Sequence, residues 1–173
     1  MLKVLVLSLF FSLSAFSSLR PLSISHSESI AKSFVNLAHK YKLDLQPTEW
    51  IKKHYSEEDG SLLLTNSKTE ILASIRVDYL QRFKIKNPSL KRYVRYYTTQ
   101  MPKFKMNLIG SKRLNKYSYQ LRVKDDSSQK IAIQTIVWRE SNAVILTCNQ
   151  KSNDWAKLQT QCDGLITSIQ WLK

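Results

Sequence analysis

The sequence predicts an α+β fold, an antiparallel β-sheet with helices on both faces, and three observations carry that prediction. Two runs between residues 103 and 124 alternate apolar and polar side chains, the pattern of strands that bury one face and wet the other. The runs 131–139 and 143–150 are apolar on both faces, as strands inside a doubly covered sheet are. Trp155, Leu158, Cys162, Leu165, Ile166, Ile169 and Leu172 recur at steps of three and four, which is one helical stripe over 154–172.

Taken in order, Ser25 and Glu28 form a capping box, a hydroxyl followed three residues later by a carboxylate. It predicts a helix with Ile30, Phe34, Leu37, Ala38 and Tyr41 on its inner stripe. Pro47 ends that segment, and Thr48 caps a short helical turn through Trp50 and Ile51. Residues 61–66 and 70–78 read as a hairpin turned at Asn66-Ser67-Lys68-Thr69. Asn87-Pro88 reads as an N-cap with proline at the first helical position. The helix so started carries Leu90, Tyr93, Val94, Tyr97 and Met101 inward and Lys91, Arg92 and Arg95 outward, and Pro102 stops it. Phe104, Met106 and Leu108 then alternate with Lys103, Lys105 and Asn107. Tyr117, Tyr119, Leu121 and Val123 alternate with Lys116, Arg122 and Lys124 among others. The predicted order is helix, hairpin, helix, four-stranded meander, helix, with no repeat and no inter-domain linker.

The 173 residues suit one compact domain plus a leader, and 43% hydrophobic content supports a real core. Lys3 supplies a positive start, residues 4–16 are an apolar run broken only by serines, and Ala15 and Ser17 stand where a signal peptidase reads small residues. The run is shorter than the roughly 20 residues a spanning helix needs. We therefore expect a cleaved signal peptide over 1–17, a linker over 18–24 and a single domain over 25–173. The mature chain has no transmembrane span and is periplasmic or secreted. Cleavage removes one lysine from a chain of 27 basic and 13 acidic residues, so the excess positive charge belongs to the exported domain.

Cys148 sits near the top of its strand and Cys162 about two turns, or roughly 12 Å, into the last helix. If that helix folds back over the strand, both sulfurs fall in one layer, and an oxidising compartment predicts a disulfide between them. Two free buried thiols or a redox pair are the alternatives, although a helix's buried stripe is a poor setting for a reactive thiolate.

The order of elements resembles the PsbP-like α/β/α sandwich, named for the extrinsic photosystem II protein and shared with a fungal Ran-binding nuclear import factor. The likeness runs over about 50–173: the hairpin at 62–77, the helix at 89–101, the meander closing on Ala143-Val144-Ile145-Leu146-Thr147-Cys148, and the helix at 154–172. The resemblance implies a non-enzymatic domain that docks on a larger assembly. A signal peptide argues against a nuclear Ran partner, nothing here resembles photosystem-specific binding residues, and no family site is carried across. A shared fold by itself is no warrant for activity.

Catalytic signatures are sparse. Nucleophilic catalysis needs a nucleophile held against a base, and the three histidines, His26, His39 and His54, all precede the predicted meander. His54 with Glu57 or Glu58 supplies two ligands on one helical face where zinc sites use three or four, and an acidic turn explains the same residues. The only glycines, Gly60, Gly110 and Gly164, are too far apart for a phosphate loop, so no cofactor is expected. What remains is a broad basic field: Lys91, Arg92, Arg95, Lys103, Lys105, Lys116, Arg122 and Lys124, with Lys112 and Arg113 between them and no acid from 79 to 124. Such a field favours an acidic protein, an envelope polymer or anionic lipid, and export disfavours nucleic acid. The reading is an exported, non-enzymatic binding module. Its alternatives are a small hydrolase or metalloenzyme using His54 with Glu57 or Glu58, and a ligand-free structural subunit whose lysines only solubilise it.

Overall fold

In the computed structural model, which describes residues 33–45, 49–83, 87–139 and 142–172, the first element is a hairpin of β1 (Ser33–Asn36) and β2 (Tyr41–Asp44). Then come β3 (Trp50–Tyr55), β4 (Leu62–Asn66) and β5 (Leu72–Tyr79), a 3-10 turn at Leu80–Phe83, α1 (Leu90–Gln100) and a second 3-10 turn at Met101–Phe104. The chain continues through β6 (Met106–Asn115), β7 (Ser118–Asp125), β8 (Ile131–Arg139) and β9 (Asn142–Gln150) to α2 (Trp155–Thr167) and β10 (Ile169–Trp171).

Seven of these strands form one antiparallel sheet in the order β3-β4-β5-β9-β8-β7-β6, and β1-β2-β10 form a small second sheet. β9 lies between β5 and β8, with Cys148 opposite Ala73 on one side and Ile133 on the other. Alternation along these strands separates two cores. On one face Ala73, Ile75, Ile133, Leu146 and Cys148 meet Leu158, Cys162 and Leu165 of α2 and Tyr41 and Leu43 of the small sheet. On the other, Leu121, Val123, Ile136, Ala143 and Ile145 meet Leu90, Tyr93 and Val94 of α1. The fold is thus α+β with a helix on each face. The hairpin at 61–78 and the double burial of β9 follow the sequence pattern.

Several expectations are corrected. The helix expected around 30–41 is the β1–β2 hairpin, in which Phe34 and Asn36 point inward and Ser33 and Val35 outward. Leu37, assigned to the helical stripe, lies in the turn and is exposed, and Lys40 takes φ 54° to close it. The capping box at Ser25–Glu28, the signal peptide, the linker, and Pro47 and Thr48 lie outside the described residues. Trp50 and Ile51 begin a strand rather than a helical turn. The N-cap of α1 is Ser89, whose hydroxyl accepts from the Arg92 amide, while Asn87 stands two residues further out with φ 49°. The last helix stops at Thr167. The Ser168 hydroxyl turns back to the Leu165 carbonyl (2.7 Å), and Ile169 and Trp171 pair with Leu43 and Tyr41 as β10. Two α-helices therefore cover the sheet among the described residues, and the small sheet fills the place expected for a third.

The edge strand also departs from expectation. Phe104 lies in a 3-10 turn, Lys105 closes that turn with φ 56°, and β6 begins only at Met106. Among the described residues β6 has β7 as its single neighbour, and Leu108, expected to be buried, is exposed.

Candidate functional site

The final helix is fixed first. The Asp154 carboxylate accepts from the Lys157 amide (2.9 Å) at its start, satisfying one of the donors that a helix N-terminus leaves open. A disulfide joins Cys148 of β9 to Cys162 of α2, their Cα atoms 5.9 Å apart and both residues fully buried, which leaves no free thiol. Beside it the Gln159 amide donates to Gln120 of β7 (3.1 Å) and to Asp163 (2.8 Å). That polar string holds α2 across β7 up to the sheet's basic end.

β7 alternates, and this divides the basic residues that the sequence presents as one field. Arg122 lies on the α2 side, its guanidinium 5.7 Å from the Trp155 ring and 3.5 Å from the Gln159 side-chain oxygen. Lys124, two residues on, shares that side. Lys91, Arg92 and Arg95 are exposed on α1, which covers the opposite face. Lys103 donates to the Gln100 side chain (2.7 Å), and the Lys105 carbonyl accepts from the Asp126 amide (3.0 Å).

The β6–β7 hairpin carries positive charge to both faces. Lys112 stands opposite Gln120 and so on the α2 side, whereas Arg113 stands opposite Tyr119 on the α1 side. Lys116, in the two-residue turn, sits 4.7 Å over the Tyr117 ring. The Trp138 amide donates to the Tyr117 carbonyl (2.7 Å) and pins the tip to β8. The register slips twice along β6, between Leu108 and Gly110 and between Arg113 and Asn115, so Ile109 and Leu114 are the extra residues of two bulges.

His54 is exposed on β3, and Glu57 and Glu58 follow it in an exposed turn. A strand does not bring residues three apart onto one face, so the helical pairing expected of His54 and Glu57 is absent. Among the described residues no group of three or more His, Cys, Asp or Glu could hold a metal ion. His39 is the better-packed histidine. Its Nε2 lies 3.5 Å from the Tyr79 hydroxyl, its amide donates to Asn36 (3.0 Å), and its ring fills the space beside Gly60. Burial lowers its pKa, partly offset by the Asp59 carboxylate.

A buried polar network under α1 is invisible in the apolar stripe read from the sequence. Arg76 and Asp78 of β5 form an ion pair (3.0 Å), and the Tyr93 hydroxyl donates to the Asp78 carboxylate (2.5 Å). The Arg76 guanidinium lies 5.8 Å from the Tyr97 ring. Burial raises the Tyr93 pKa, and the Asp78 charge raises it further. The signal available in the sequence is the alternation of Arg76 and Asp78 with Ile75 and Val77, two charges on a face that a helix must cover. A part-buried, charge-paired set of this kind ties layers together.

No protein-family model matches the chain, and no curated protein matches it. Solved structures do. The solution structure of cyanobacterial PsbP (CyanoP) from Synechocystis sp. PCC 6803 aligns over 88% of this chain and 99% of its own, with a TM-score of 0.55 and 12% identity. A crystal structure from Bacteroides thetaiotaomicron VPI-5482 aligns over 83% of this chain and 49% of its own, at a TM-score of 0.49 and 12% identity. At such identity the CyanoP likeness is one of fold. With its element order, seven-stranded antiparallel sheet and a helix on each face, the chain has the PsbP-like fold.

Proposed function

We propose that this chain is an exported, non-enzymatic docking module that holds an anionic partner against the basic β6–β7 edge of its sheet. One observation carries the reading. The 22 residues from Lys103 to Lys124 contain seven lysines and arginines and no acid, and they run from a 3-10 turn through the exposed strand β6, which edges the sheet among the described residues, into β7. Lys112, Arg113 and Lys116 make no ion pair with a described residue. Clustered uncompensated charge of this kind raises the local concentration of an anionic partner and speeds its capture. The disulfide supports an oxidising compartment. Among the described residues no helix is long and apolar enough to cross a membrane. His54 is exposed on a strand, and among the described residues no ligand cluster surrounds it, so the metalloenzyme alternative draws no support from its geometry.

The test is retention on a sulfated matrix as salt is raised. The wild-type protein should be held at low salt and released as salt screens the contact. Lys112→Glu with Arg113→Glu and Lys116→Glu should elute near the void. Retention unchanged by that triple reversal would reduce the hairpin to a solubilising surface.

A further inference from the structure

Six large apolar side chains are exposed among the described residues, and four of them lie in ten consecutive residues of the hairpin: Leu108 (42%), Ile109 (57%), Leu114 (41%) and Tyr117 (53%). Edge strands normally carry charge or bulges that keep other strands away, and β6 has both. Its bulged residues, however, are Ile109 and Leu114. A bulge places a residue outside the ladder, so these two side chains serve neither the core nor an added strand. A strand from a second copy, or from a peptide, would meet an interrupted ladder. The apolar groups are interleaved with Lys112, Arg113 and Lys116, and Tyr117 presents an aromatic ring with a polar end beneath the Lys116 ammonium. Apolar side chains flanked by cations, with an amphipathic aromatic at the tip, match the layered chemistry of a bilayer interface, which has phosphates outside and acyl chains beneath.

We propose that the partner of the basic edge is an anionic lipid bilayer. Ile109, Leu114 and Tyr117 enter the interfacial layer while Lys112, Arg113 and Lys116 pair with headgroup phosphates. This rests on the docking role proposed above and names the surface. Charge complementarity selects it over a neutral membrane, because residues 106–124 of the hairpin hold no acid to repel phosphate and Asp125 comes only at the end far from the turn. The exposed apolar groups favour it over a soluble polyanion, which gives Ile109 and Leu114 nothing to bury against.

The experiment is vesicle flotation of the protein recovered from the export fraction, run beside retention on the sulfated matrix. The vesicles are equal parts phosphatidylglycerol and phosphatidylcholine, with phosphatidylcholine alone as control. Wild type should float with the anionic vesicles and stay behind with the neutral ones. Ile109→Ser with Leu114→Ser and Tyr117→Ser should lower vesicle partition at least about tenfold yet keep matrix retention, since two or three exposed apolar groups contribute on that order. Lys112→Glu, Arg113→Glu and Lys116→Glu together should lose both. Ile109→Ser and Leu114→Ser alone, each at an exposed site, give the same reading if the triple variant folds poorly. Wild type that is held by the matrix but does not float overturns the lipid inference and leaves docking to an acidic protein or polymer. Apolar variants that float like wild type overturn insertion. Loss of both kinds of binding in wild type overturns the docking reading as well.

Discussion

Tyr93 joins helix to sheet with one hydroxyl. Its ring lies in the α1-side core, and its oxygen donates to an Asp78 carboxylate that is also paired with Arg76. Tyr93→Phe keeps the ring and removes the donor, so it should cost about 1–3 kcal/mol, seen as a lower denaturant midpoint with an unchanged slope. An unaltered midpoint would show that Asp78 is satisfied without it. Gly60 is a second test at this scale. Its φ is +69°, and a Cβ there would meet the His39 ring at 2.1 Å. Gly60→Ala should therefore destabilise by roughly 1–2 kcal/mol, whereas an unstrained site would gain from the same change. At this scale the sequence reveals burial better than chemistry. Tyr93 and Tyr97 were legible as inward-facing from their spacing, but helical periodicity is blind to what their hydroxyls reach. Arg76 and Asp78 become meaningful only once β5 lies under α1.

Among elements, the cysteine pair was legible because strand and helix patterns each fixed which way a sulfur points. The disulfide spans 14 positions between β9 and α2. Reducing it, or making Cys148→Ala with Cys162→Ala, should lower stability by about 3 kcal/mol, measured by denaturant unfolding with and without reductant. Equal midpoints would contradict a cross-link that constrains the unfolded chain. The β1–β2 hairpin was not legible. Phe34, Leu37 and Tyr41 fit a helical stripe and, apart from Leu37, also fit alternate positions of two short strands. Propensity over so short a segment decides little, and pairing of β2 with β10, more than a hundred residues away, settles the outcome. The end of α2 was missed for the same reason, since Ile169 and Trp171 continue the helical stripe as well as they alternate along β10. For β6, alternation says which residues share a face, not whether anything covers that face.

The whole molecule shows a sheet whose two faces are closed by different means and whose β6–β7 edge is left basic and partly apolar. Its titration should be asymmetric. Burial holds the Tyr41 phenol up at about 12 and raises that of Tyr93 too. A raised folded-state pKa contributes stability that is fully present below the ordinary phenol value near 10 and is lost as pH climbs through the folded value. On the acid side burial lowers the His39 pKa, so its contribution is present above the ordinary histidine value near 6.5 and declines as pH falls through the folded value. Asp59 and Asp125 act in the same direction lower down. Burial opposes their charge, but hydrogen bonds from Ser61 and Ser56 to Asp59, and from Ser127 and Ser128 to Asp125, outweigh it and lower both values. Thermal melting across pH should therefore show a plateau near neutrality, a shallow acid decline and a steeper alkaline one. A midpoint that keeps rising above pH 10 would contradict the burial of Tyr41. The fold class was legible at this scale because alternation and double burial are properties of whole strands. The division of the basic residues between two faces was not, because it depends on which side of β7 each helix takes. Amide-resolved NMR titration of the protein with a short sulfated oligosaccharide tests the docking edge most directly. We expect saturable shifts confined to β6, β7 and their turn, and shifts centred on Lys91, Arg92 and Arg95 of α1, or scattered without saturation, would contradict it.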